Sequence, residues 1–215
     1  MSTAPFNAPA SMPPDLADVY NALDHVLVWL YARWNMYRQV FGTSENRINL
    51  LNELAPAFFK VCQDAIWADI RMELCRLADP AETCGKPNLT LQRLVKLIDP
   101  GKHPTVAAEA AALLQEVEQR CVSFREWRNR RGGHRDLDTA LERHARPLPG
   151  ASREMIEDAL QCIRDLMNAL LGYFDNGAQK YFPGLDPLGN GDALIACLEH
   201  TRAHREKLRA SWGMP

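Results

Sequence analysis

Apolar residues recur three and four apart from Asp15 to Phe41: Leu16, Val19 and Tyr20, Leu23, Val26 and Leu27, Leu30, Trp34, Tyr37, Phe41. That spacing holds one helix face apolar for about seven turns. Gly42 is placed to end the helix with a left-handed cap, and Thr43 or Ser44 to cap a short segment through Leu54. Pro56 suits the first turn of the next helix, predicted from about Ala55 to Leu77. Phe58, Phe59, Cys62, Ile66, Trp67, Ile70, Leu74 and Leu77 cover more than a narrow stripe of it, the mark of a central helix. Asp79-Pro80 ends it, and Ala81 to Pro87 reads as a surface loop. Asn88 is predicted to cap a short helix holding Leu91, Leu94, Val95 and Ile98, closed by Asp99-Pro100-Gly101.

Pro104 opens a further long helix, with Val106, Ala110, Leu113/Leu114, Val117, Cys121 and Phe124 on one face. Four residues on, that face reaches Arg128, whose charge requires a core partner or another protein surface. Asp136 to His144 has room for one or two turns before Pro147-Leu148-Pro149-Gly150. Ser152 then caps a helix with Ile156, Leu160, Ile163, Leu166/Met167, Leu170 and Phe174, closed by Asp175-Asn176-Gly177. A last helix is predicted from about Ala193 to Leu208. No alternating strand pattern of useful length intervenes. The expected fold is all-α, a helical bundle of four to five main helices. Its parts are a flexible arm over 1–14, the helical domain over 15–176, and a connection and helix over 177–215 packed on the same domain.

At 215 residues and 47% hydrophobic the chain is long enough to fill one core. A net charge of −2 excludes wholesale polyanion binding, so any nucleic-acid contact has to come from a patch. No apolar run is long enough to span a bilayer and no secretory signal opens the chain, so no membrane partner is expected. The six cysteines stand singly, which points to a reducing, cytoplasmic home.

The chemistry concentrates in one stretch. Six arginines fall between positions 120 and 135: Arg120, Arg125, Arg128, Arg130, Arg131 and Arg135, opposed within it only by Glu126. The arginine fork pairs bidentately with oxyanions, and His134 is the member able to change charge near neutral pH. Arginine with histidine suits metal-free RNA cleavage. A solvated basic helix end accounts for the same residues. Other motifs carry less. His134-Arg135-Asp136 spells a kinase catalytic-loop tripeptide without the rest of that signature. His200 and His204 share a helix face, but no acidic residue stands between them and arginines crowd them, so no metal site is expected. Asp69 and Glu73 are an acid pair at a spacing that more often bonds a neighbouring arginine.

Arg128-Asn129, four residues, then His134 resembles the R-N-x4-H signature of the HEPN superfamily of helical ribonucleases and nucleotide-binding domains. The surroundings look like its abortive-infection U-type branch. Trp67-Ala68-Asp69 with Leu74, Leu77 and Asp79-Pro80 is similar to that branch's central helix, and Asn88-Leu89-Thr90-Leu91 to its next helix start. Trp127-Arg128 with His134-Arg135-Asp136-Leu137 completes the set, and the likeness covers roughly residues 15 to 175.

The resemblance implies a homodimer whose two signatures line one cleft, and a metal-independent endoribonuclease serving phage defence or a toxin–antitoxin pair. No cofactor is expected. His134 would be the acid or base, Arg128 the phosphate clamp, and Asn129 an orienting residue. Arg125, Arg130, Arg131 and Arg135 would bind RNA, with Asp69 and Asp136 as supporting polar groups. Products would carry 2′,3′-cyclic phosphate and 5′-hydroxyl ends, and an antitoxin protein would be a further partner. A catalytically silent module binding RNA, a nucleotide or a protein is the rival reading. The pair Gly132-Gly133 departs from the family, which commonly carries an aliphatic-small pair before the histidine, and Asp136 stands where some HEPN toxins carry tyrosine. Six residues of unbroken helix would turn His134 about 240° from Arg128 and about 9 Å along the axis. Either the glycines unwind the helix end or opposite protomers cooperate.

Overall fold

A computed structural model describes residues 8–132, 150–179 and 189–212, and among them the chain is helical apart from one small hairpin. The helices are α1 (Pro14–Tyr37), α2 (Glu45–Leu54), α3 (Pro56–Leu77), α4 (Leu91–Lys96), α5 (Pro104–Arg120), α6 (Val122–Trp127), α7 (Arg153–Phe174) and α8 (Gly191–Ser211). The fold class is all-α, as the three-four spacing predicts. The expected turns over Asp136 to His144 lie outside the described residues.

The chain divides into two compact units, each built from two stretches: 1–28 with 71–182, and 29–70 with 183–215. The division falls within α1 and within α3. In the first unit α5 packs along α7. The predicted face sinks at Val106, Ala110, Val117, Cys121 and Phe124, all buried, whereas Leu113 and Leu114 between them are only half-buried. Helix α7 buries Ile156, Leu160, Ile163, Leu166, Met167 and Leu170, and Ser152 caps it by accepting the Met155 N–H at 3.1 Å. In the second unit Val40, Leu50, Leu51, Phe59 and Ile195 form the core. Beside them Tyr37 packs its ring on Trp34, Phe41 and Trp67, with centroids 5.6, 5.4 and 5.0 Å away.

Three local expectations are corrected. Gly42 does not adopt the left-handed cap: α1 passes into a π-helical turn, Arg38–Gly42, and no positive φ occurs there. The turn is closed instead by Thr43 Oγ1, which donates to the Arg38 carbonyl at 3.0 Å. The cap of α4 is Thr90, which accepts the Arg93 N–H at 3.1 Å, and not Asn88. Asn88 is already spent on the preceding loop, donating to the Pro80 carbonyl and to Thr83 Oγ1. That loop is itself a hairpin, β1 (Glu82–Thr83) against β2 (Lys86–Pro87), antiparallel, with Thr83 opposite Lys86. Cys84 and Gly85 turn it at φ 52° and 74°, the positive values of a tight primed turn.

Candidate functional site

Helix α5 breaks before the arginine signature begins. Cys121 sits at φ −90°, ψ −1° between α5 and α6, and its N–H bonds to the carbonyls of Val117 and Gln119. One turn on, Arg125 reaches back and its Nη2 donates to the Glu118 carbonyl at 2.9 Å. Carbonyls at a helix end lack intrahelical partners, so the guanidinium fills a need that the break creates. Trp127 ends α6, and Arg71 of α3 lays its guanidinium over the indole, 3.8 Å from the ring centroid. Such a contact contributes on the order of 0.5–2 kcal/mol and ties α6 to α3.

From Arg128 to Gly132 the chain takes a π-helical turn. The departure from α geometry therefore starts at the arginine itself, ahead of the two glycines. Such turns are uncommon and recur at functional sites. At its first residue, Arg128 Nη1 donates to both carboxylate oxygens of Asp79, at 2.7 and 2.6 Å. Asp79 lies two residues past the end of α3. Arg128 Nε donates to Asn129 Oδ1 at 3.4 Å. Nη2 bonds to no described residue. The two side chains of the ion pair are 24% and 25% exposed, and among the described residues the fork is held through Nη1 by Asp79 and through Nε by Asn129.

The electrostatics follow from this pairing. The hydrogen bonds to Asp79 push the Arg128 pKa above its ordinary value, against the opposing effect of burial. Beside the pair lies the Cys75 thiol, wholly buried and pushed up to about 11 by desolvation, with Arg128 pulling it partly back. The result is a permanent, fixed cation at the end of α6. Its Nη2, which meets no described residue, is of the kind that suits an oxyanion.

The sequence-derived candidates are placed unevenly. Arg128 and Asn129 come together in direct contact. Arg125 is turned inward to Glu118, and its Nε is buried with no described partner. Arg130 approaches Glu126 at 3.5 Å, its side chain 18% exposed. Asp69 pairs with Arg33 at 3.0 Å, in the second unit, whereas Arg128 belongs to the first. His134, Arg135 and Asp136 lie outside the described residues, as does the Arg131 side chain. Among the described residues no three His, Cys, Asp or Glu side chains gather as a metal site, and no helix is long and apolar enough to cross a membrane.

Asp79 is absent from the sequence-derived site candidates, where Asp79-Pro80 serves to end a helix and to mark the family resemblance. It is 49 residues from Arg128 in the chain, so no periodicity connects them. The available signal was the charge on the apolar face of α5, which demands a nearby carboxylate.

The comparisons with known proteins bear on this geometry. A HEPN family model described as AbiU2 matches residues 13–188. The chain belongs to the AbiU2 family. Neither the search of curated proteins nor that of solved structures returns a match. The AbiU2 match takes in Asp79, Arg128, Asn129 and His134, and it ends before α8 begins at Gly191. The ion pair thus lies within the matched residues, and α8 lies beyond them.

Proposed function

We propose that the chain is a metal-independent endoribonuclease of the HEPN type, acting in phage defence by abortive infection or as the toxin of a toxin–antitoxin pair. The observation that carries this reading is Arg128: a permanent cation fixed by Asp79, its Nη2 without a partner among the described residues, at the head of the R-N-x4-H signature of an AbiU2 chain. In this scheme Arg128 Nη2 holds the scissile phosphate and stabilises the charge that gathers on it. His134 takes the proton from the 2′-hydroxyl while water gives one to the leaving 5′-oxygen, or water takes the first and His134 gives the second. The 2′-oxygen bonds to phosphorus as the phosphorus–5′-oxygen bond breaks, leaving a 2′,3′-cyclic phosphate and a 5′-hydroxyl. DNA, which lacks that nucleophile, is inert. Pairing of two copies is proposed from the family habit of dimerising. The charge of Arg128 is met within the chain by Asp79 and does not itself demand a second surface.

One observation favours the silent-module reading: Asp79 already engages Arg128 and competes with a phosphate for it. The two readings separate on single-stranded RNA incubated in excess EDTA, with products analysed for their ends. The enzyme reading expects cyclic-phosphate ends, abolished in His134→Ala, with RNA affinity nearly intact. RNA that is bound but never cut by the native chain selects the silent module. Cleavage lost in EDTA and restored by added metal overturns the mechanism.

A further inference from the structure

Helix α8 is anchored at one end and unaccompanied at the other. Its first turns are fixed: Gly191 N–H donates to Gln39 Oε1 at 2.9 Å, Asp192 pairs with Arg47 at 2.6 Å, and Ile195 is buried in the second unit's core. Arg202 approaches Glu53 at 3.9 Å, and beyond it every described side chain is exposed. A terminal stretch of two to three turns with no buried side gains nothing from packing. Arg205, Leu208, Arg209 and Trp212 stand there at i, i+3, i+4 and i+7, the spacing of a single helix face. Trp212 is 66% exposed and Leu208 37%. Among the described residues neither Arg205 nor Arg209 has an ion-pair partner, although arginines 33, 47, 128 and 202 all find carboxylates.

We propose that this face of α8 is a single-stranded RNA-binding arm, with Arg205 and Arg209 on successive phosphates and Trp212 stacked on a base. The proposal rests on the reading of RNA as substrate. It extends that reading to a segment beyond the family match. Four helical residues set the two arginines about 6 Å apart along the axis, a spacing suited to neighbouring phosphates on an extended strand. An exposed indole offers a face to any base, which is how sequence-tolerant single-strand binding is built. A second copy of the chain is the poorer occupant, because this face would set arginines against arginines.

The test uses the full chain and a fluorescent 2′-O-methyl oligouridine, which lacks the nucleophilic hydroxyl and cannot be cut, with affinity read by anisotropy at several salt concentrations. Each phosphate contact to a single strand contributes about 0.7 to the log–log salt slope, so Arg205→Gln with Arg209→Gln should flatten it by about 1.4 and weaken binding at least tenfold. Trp212→Ala should weaken binding about fivefold or more while leaving the salt slope alone, since stacking carries no charge. Both variants change exposed side chains and should leave the circular dichroism spectrum unaltered. Native binding with unchanged affinity and slope in both variants overturns the arm and leaves the Arg128 reading standing. Absence of both binding and cleavage in the native chain overturns the RNA reading and the arm with it. A halved particle mass in Trp212→Ala, with RNA affinity untouched, assigns the face to a contact between copies and likewise overturns the proposal.

Discussion

At the scale of single residues, the pairing of Arg128 with Asp79 decides how the site is read. A free arginine at a frayed helix end samples many rotamers, and ordering it on a phosphate costs entropy. Asp79 removes most of that freedom beforehand by holding Nη1 through two short bonds. On the proposed ribonuclease reading it acts through Arg128 and is a positioning residue. Asp79→Asn should lower RNA cleavage by about tenfold to a hundredfold, the range associated with small displacements of a reacting group. The loss should fall on kcat more than on KM, and Asp79→Glu should restore part of it. Because both partners are about a quarter exposed, the accompanying loss of stability should be only about 1–2 kcal/mol. If Asp79→Asn instead binds RNA more tightly and cuts it as fast, the carboxylate is a competitor of the phosphate and not its organiser.

At the scale of elements, the legible parts were those written in a repeating or strictly local code. The long helices follow from buried positions three and four apart, because burial of one face is the term that stabilises them. Pro56, Pro104 and Ser152 mark their starts because the first turn has its own chemical needs. The π-helical turns at Arg38 and Arg128 were not legible, since they alter hydrogen bonding without breaking the apolar pattern. Asn88 was misread for a related reason: it and Thr90 are both competent caps, and only the hairpin closed by Asn88 decides between them. This assignment is testable by urea unfolding. Thr90→Ala removes the bond to Arg93 from a residue that is 1% exposed and should cost about 1 kcal/mol. Asn88→Ala removes only exposed bonds and should cost about 0.5 kcal/mol or less. Equal losses would mean that the hairpin and α4 fold as one cooperative piece. The site divides along the same line. Arg128-Asn129 was visible as a contiguous motif, whereas Asp79 enters by tertiary contact alone. For α7, Leu166 is wholly buried, and Leu166→Ala should cost about 2–5 kcal/mol, with a smaller loss if the surroundings collapse into the cavity.

At the scale of the whole molecule, the first unit carries acid groups whose burial ties its stability to pH. Cys75 and Cys121 are wholly buried there, and desolvation lifts their thiols from 9.0 to about 11 and about 12. Unfolding returns both to the ordinary value. Between 9 and 11 the unfolded chain sheds thiol protons that the folded chain retains, so the unfolded state binds fewer protons and stability must fall as pH rises. The contribution is complete below pH 9 and lost as pH passes through the folded values. By pH 10 the loss should be roughly 1 kcal/mol per thiol, at 1.36 kcal/mol for each pKa unit. Tyr20, buried with its hydroxyl unbonded among the described residues, is raised in the same sense and adds its share at higher pH. Thermal melting followed by circular dichroism at pH 8, 9 and 10 measures the slope. Cys75→Ala with Cys121→Ala separates the thiols from other alkaline effects, because the comparison needs only the slope and not the absolute stability, which the cavities will lower. The native chain should lose stability more steeply than the variant between pH 9 and 10, and the two should run parallel below pH 8.5. Parallel curves throughout would mean that water reaches these thiols in the folded state, and that the ground beneath Arg128 and Asp79 is wetter than the packing around Cys75 implies.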